Sequence, residues 1–208
     1  MAKQQQISLA ITGASGIAYA TRLLSLLNKN GYQVHLMISD AARVVFASEL
    51  NINVPKSPEK ISTLLSKELQ LDPALIEVWS KDNWFSPLAS GSSAPKHMVI
   101  CPCSTGSLSA IATGASNNLI ERAADVVLKE KGTLIVVPRE TPYSTIHLEN
   151  MLKLTTAGAT ILPASPGFYH QPDSIDQLID FIVGRILDHL GIDIALEPRW
   201  GYSKNTPQ

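Results

Sequence analysis

The stretch Ile7-Ser8-Leu9-Ala10-Ile11-Thr12-Gly13-Ala14-Ser15-Gly16 sets the pattern for the whole chain. Its apolar first half reads as a strand buried on both faces, and the small residues that follow as a tight turn. From Ile17 to Asn28, Ala20, Leu23, Leu24 and Leu27 recur at helical spacing, and Asn30-Gly31 supplies a stop. Strand, turn, helix is the repeating unit.

Outward from there the same unit returns. Val34 to Ile38 reads as a second strand and Ala41 to Leu50 as a second helix. Residues 51–93 are less regular: a helix near Ser57–Leu69, an extended piece at Ile76–Trp79 and a Ser/Gly-rich loop at Ser86–Ser93. His97 to Cys101 is the next strand, followed by the turn Pro102-Cys103-Ser104-Thr105-Gly106-Ser107 and a short helix. A longer helix runs from about Asn117 to Glu130 and closes at Lys131-Gly132. Thr133 to Val137 is another apolar strand, with Pro138 to Pro142 as its exit loop. A helix over Thr145 to Thr156 ends at Ala157-Gly158, and Thr160 to Leu162 is a short strand. The last helix opens at Ser174, with Gln177 as capping-box partner, and reaches about Leu190.

Strands without polar alternation need a parallel sheet covered by helices. The order therefore gives an α/β chain, a Rossmann-like doubly wound parallel sheet with helices on both faces. No repeat, low-complexity segment or linker divides it. One domain over residues 1–208 is expected, with a core of about 7–190 and a polar tail of about 191–208 in which Trp200 and Tyr202 stand out.

Composition narrows the function classes. The 208 residues are 45% hydrophobic and 17% charged, enough to build a core. Seventeen basic against eighteen acidic residues leave a net charge of −1, which gives no electrostatic reason for a nucleic-acid or membrane-surface partner. Cys101 and Cys103 are the only cysteines, which excludes a disulfide framework and fits a reducing cytoplasm. The histidines at 35, 97, 147, 170 and 189 lack metal-ligand spacing, so no metal is expected. No apolar run approaches the roughly 18 residues of a membrane span.

In an open parallel sheet, ligands gather at the carboxyl ends of the strands. The loops there are Gly13-Ala14-Ser15-Gly16, Ser39, Ser104-Thr105-Gly106-Ser107, Arg139-Glu140 and Ser165-Pro166-Gly167-Phe168-Tyr169. Two of them are small, hydroxyl-rich turns leading into helix N-termini, which favour an anion such as phosphate. The first completes neither G-x-G-x-x-G nor T-G-x-x-x-G-x-G, and no Walker Gly-Lys-Ser/Thr occurs.

Four segments in register carry a family resemblance. Ile11-Thr12-Gly13-Ala14-Ser15-Gly16, Cys101 to Ser107, Val137-Pro138-Arg139-Glu140-Thr141-Pro142 and Pro163 to Tyr169 together resemble the UbiX-type flavin prenyltransferases, over about Ile7 to Leu190. The resemblance implies a flavoprotein that joins the dimethylallyl group of dimethylallyl monophosphate to N5 and then C6 of reduced FMN. Phosphate leaves, and prenylated FMN passes to a UbiD-type decarboxylase, in a setting such as ubiquinone biosynthesis. It further implies a homododecamer with sites shared between subunits and no metal.

Leaving phosphate needs positive charge, and no paired-Asp motif is present to recruit Mg²⁺. Arg122 and Lys129 are seven residues apart, roughly two helical turns, and so share a face. With Tyr169 and Arg185, which the resemblance alone carries, they are the candidates for binding dimethylallyl phosphate. The alternatives are an i,i+3 pair of Arg122 with Asp125, a helix-end role for Lys129 and a solvated Arg185. A base is needed near the flavin: Glu140 in its proline-flanked loop is placed best, and Glu49 is the second that the resemblance supports. Ser15 either donates to the ligand or caps the following helix. FMN would be held by Gly13, Ala14, Ser15, Ser39, Ser104, Thr105, Gly106, Ser107 and Arg139. Trp84, Tyr169 and Trp200 are candidates for facing an allylic cation. Competing readings are an FMN-dependent cysteine decarboxylase on the same scaffold, an NAD(P)-dependent oxidoreductase using Asp40, and a non-catalytic flavin carrier.

Overall fold

A computed structural model describes residues 5–194 and Leu196. Among the described residues, six strands form one all-parallel sheet: β1 (Gln6–Ile11), β2 (Gln33–Ile38), β3 (Ile76–Trp79), β4 (His97–Cys103), β5 (Thr133–Pro138) and β6 (Thr160–Ile161). The same residues contain seven α-helices: α1 (Ile17–Lys29), α2 (Asp40–Leu50), α3 (Pro58–Glu68), α4 (Thr105–Ala112), α5 (Leu119–Lys129), α6 (Thr145–Thr156) and α7 (Ile175–His189). Strand order is β3-β2-β1-β4-β5-β6, so the connection reverses direction between β1 and β4. That reversal is the switch point where an open α/β sheet leaves a crevice.

Burial explains why these runs are strands. In β1, β2, β4 and β5 every residue after the first is buried, whereas the edge strands β3 and β6 are only partly so. Successive side chains point to opposite faces. Ala10, Met37, Met98, Ile100, Leu134 and Val136 join one core with Leu108, Ile111, Ala123, Ala124, Val127 and Leu154 of α4, α5 and α6. The intervening Ile7, Leu9, Leu36, Val99 and Ile135 are equally buried and point the other way, where α1 crosses β2, β1 and β4.

Two sequence expectations are corrected here. The strand expected to end at Cys101 continues to Cys103. Pro102 lacks the N–H that a central strand needs, but the β4–β5 register shifts between Ile100 and Cys103, and this bulge removes Pro102 from the ladder. At α7 the Ser174 hydroxyl accepts from Gln177 N as a cap, but the Gln177 side chain accepts from Asp173 N rather than completing a box with Ser174. By Cα proximity the chain forms two compact units, Met1–Ala164 with the sheet and Ser165–Gln208 with α7. Trp200 and Tyr202 lie outside the described residues.

Candidate active site at the switch point

Thr12, the first residue after β1, ties the two halves of the crevice together. Its hydroxyl donates to the Pro102 carbonyl at 2.8 Å and accepts from Ser104 N at 2.7 Å, and its own N–H donates to Pro102 O at 3.2 Å. The side chain is buried, so each of these polar groups depends on the others for a partner. The turns after β1 and β4 are thereby held side by side.

Small residues keep this edge open to a ligand. A Cβ on Gly13 would lie 2.4 Å from Cβ of Ala41 in the first turn of α2, so only glycine lets the two turns approach. Ala14 is buried and Ser15 exposed. Gly16 closes the turn in the left-handed region at φ 110°. It is the N-cap of α1 and no side-chain oxygen caps from that position, so Ser15 is not the helix cap that sequence reading allowed. The anion at this terminus is instead Glu49, from the end of α2. Its carboxylate accepts from Gly16 N at 3.0 and 3.1 Å and from Ile17 N at 2.9 Å. The N-terminus expected to be free for phosphate is filled by the chain's own carboxylate.

Ser39 sits at the carboxyl end of β2, where its N–H donates to Ile11 O at 3.0 Å and its hydroxyl caps α2 by accepting from Ala42 N at 3.1 Å. After β4, the Ser104 hydroxyl accepts from Ser107 N at 3.3 Å and donates to the Ser107 hydroxyl at 3.1 Å. Thr105, Gly106 and Ser107 form the first turn of α4, and Gly106 is exposed. Arg139 leaves β5 beside this turn, its N–H bonded to Cys103 O at 3.4 Å. Its Nε is buried and has no partner among the described residues. A buried guanidinium N–H without a protein partner is open to an acceptor from outside the chain. Glu140 follows, half-buried, with one oxygen accepting from Thr141 N at 3.0 Å.

Of the expected phosphate binders, Arg122 and Lys129 have their partners outside these turns. Arg122 pairs with Asp125 at 2.8 Å and donates from Nε to Ala89 O at 3.1 Å, fastening the Ser/Gly-rich loop to α5. Lys129 pairs with Glu130. It ends α5 four residues before β5 begins, and Thr133 N there donates to Lys96 O just ahead of β4. Lys129 is thus at the amino edge of the sheet, opposite the crevice of its own chain. Arg185 and Tyr169 belong to the second unit, where Arg185 pairs with Asp188 at 2.8 Å and Tyr169 is 75% exposed. Trp84 is 46% exposed, beside the fully exposed Phe85.

Comparison with known proteins decides the family. Residues 1–187 match the flavoprotein family model. The flavin prenyltransferase UbiX of Pseudomonas aeruginosa is 55% identical over 201 residues, covering 97% of this chain and 96% of that one. The chain belongs to the UbiX flavin prenyltransferase family. A solved UbiX structure, AnUbiX (PadA1) in complex with FMN and dimethylallyl pyrophosphate, superposes with a TM-score of 0.84 at 37% identity, covering 95% of this chain and 98% of that one. A dodecameric FMN-dependent UbiX-like decarboxylase from Escherichia coli O157:H7 gives 0.81 at 34% identity, covering 94% and 99%.

Within this UbiX family member, Thr12 is the residue that sequence reading missed. Its signal was a hydroxyl at the end of an apolar strand immediately before the glycine turn. The cysteines are inert: both are fully buried, which pushes the Cys103 thiol up to about 12 and Cys101 higher still. No group of three or more His, Cys, Asp or Glu is placed to hold a metal among the described residues, and no helix there is long and apolar enough to cross a membrane.

Proposed function

We propose that this enzyme joins the dimethylallyl group of dimethylallyl monophosphate to N5 and then C6 of reduced FMN, without a metal, as a dodecamer supplying a UbiD-type decarboxylase. The observation that carries the reading is the buried, unpartnered Nε of Arg139 beside the paired glycine and serine turns, in a chain of this family. FMN lies along Gly13, Ala14 and Ser15, Ser39 and the turn Ser104 to Ser107. Arg139 supplies the counter-charge for the phosphate or for reduced flavin.

The balance of the reaction sets what the side chains must do. The N5–carbon bond forms as the C–O bond of the phosphate ester breaks, and the N5 proton leaves with phosphate. Ring closure then moves one proton from C6 to the prenyl chain. Glu140 is the carboxylate free to accept a proton in transit. Glu49 fixes the first turn through Gly16 and Ile17; three bonds leave a carboxylate about one further acceptor site, which is available to Ser15 or to the flavin. Tyr169 and Arg185 bind the departing phosphate. Arg122 and Lys129 complete its cradle from a neighbouring subunit, in keeping with the position of Lys129 at the far edge of its own sheet.

Anaerobic incubation with reduced FMN, dimethylallyl monophosphate and a chelator, followed by mass spectrometry, tests this. The expected product is a flavin heavier by one five-carbon unit, with one phosphate released for each. Bound but unmodified flavin overturns the prenyl transfer, and loss of turnover on chelation overturns metal independence.

A further inference from the structure

A second cleft, of about 360 Å³, opens at the carboxyl ends of β2 and β3 and uses none of the residues assigned above. Its apolar wall is Ile38, Pro58, Ile61 and Trp79, and its rim carries Arg43, Lys56 and Lys81 against Asp40 and Asp82. Both carboxylates are already engaged: Asp40 with Arg43 and with Lys81 at 3.8 Å, and Asp82 with Lys81 at 3.3 Å. Neither Lys81 contact is as short as a charge-assisted hydrogen bond of about 2.7–2.9 Å.

The cations are therefore in excess. Lys56 has no carboxylate partner among the described residues. The Arg43 side chain is only 17% exposed, yet Asp40 is its sole side-chain acceptor there. A guanidinium carries five N–H donors in a planar fork that fits the oxygens of a phosphate. Beside it the indole of Trp79 is held in place by its N–H, which donates to Nδ1 of the buried His35 at 3.1 Å. A fixed aromatic wall next to unsatisfied cations suits a planar ring that carries a phosphate.

We propose that this cleft binds an organic phosphomonoester, with its phosphate on Arg43, Lys56 and Lys81 and its ring against Trp79. The site is separate from the one proposed for FMN and does not rest on that reading. Its position gives it a consequence, because Asp40 and Arg43 lie in the first turn of α2. Ser39 caps that helix and Glu49 near its far end caps α1, so an occupant of the cleft bears on the turns after β2 and β1.

The test is calorimetric titration of the FMN-saturated protein with adenosine 5′-monophosphate, adenosine and inorganic phosphate. If FMN does not bind, the same titration is made on the flavin-free protein. The monophosphate is expected to bind, adenosine not to, and inorganic phosphate to bind more weakly. Arg43→Gln and the fully surface change Lys56→Gln should each weaken the monophosphate about tenfold or more, with FMN affinity unchanged. Equal binding to wild type and both variants overturns the proposal, as does absence of heat at millimolar monophosphate. Inorganic phosphate binding as tightly as the monophosphate overturns the role of the ring.

Discussion

The two carboxyl edges of the sheet, β1/β4 and β2/β3, solve ligand binding in opposite ways. At β1/β4 the walls are backbone and small hydroxyls, tied together through Thr12 and Ser104, with the buried Arg139 Nε left without a partner among the described residues. At β2/β3 the walls are long charged side chains around an apolar floor, with more cationic donors than carboxylates to receive them. The first edge is pre-organised and cannot be altered without cost. The second takes its charge from long side chains around a fixed indole, so changes to its lysines should alter binding and leave stability alone.

The largest effect is expected from Thr12→Val. It keeps the shape but removes the hydroxyl, leaving the part-buried Ser104 N without its acceptor, at a cost of about 1–3 kcal/mol in urea unfolding. Thr12→Ser should recover most of that, and a valine variant as stable as wild type would break the contrast between the edges. Gly13→Ala comes next. Its methyl would sit 2.4 Å from Cβ of Ala41, so the turn must shift, costing about 1–3 kcal/mol and weakening FMN in a fluorescence titration. Glu49→Gln should cost about 1 kcal/mol by removing the anion from the start of α1, measurable as a lowered unfolding midpoint.

A smaller effect is expected from pH. Burial lowers the pKa of His35, and burial, then Lys96, lowers that of His97. Trp79 donates to Nδ1 of His35, so the imidazole is held neutral beside Glu77. The unfolded chain binds more protons than the folded one below the ordinary value of about 6.5. Their contribution is complete above that pH and is lost as pH falls toward the lowered values. Glu77, raised by burial, acts in the opposite sense just above its ordinary value of 4.5. Unfolding midpoints at pH 7.5 and 5.5 should differ in wild type and differ less in His35→Gln. Smallest of all, Lys56→Gln should change stability by less than about 0.5 kcal/mol.

The same contrast explains what the sequence made legible. Periodicity placed the central strands and most helices to within a residue or two, and Thr145–Thr156 and Ile76–Trp79 coincide with their observed bounds. Those signals are local: apolar runs, a serine before a helix, Gly158 after one. The partners of Thr12 lie some ninety residues away, and those of Glu49 more than thirty, so neither leaves a periodic trace. The cleft at β2/β3 draws on three separate segments and shows no motif at all. Family resemblance supplied Tyr169 and Arg185, and the edge position of Lys129 became visible only when α5 was followed to the start of β5.

The most direct measurement is a crystal structure of the protein grown with FMN. Flavin is expected in the β1/β4 crevice, along Gly13 to Ser15 and Ser104 to Ser107, with the Arg139 guanidinium within hydrogen-bond distance of it. Flavin seated instead in the charged β2/β3 cleft, with its phosphate on Arg43 and Lys56, would contradict the assignment of the two edges.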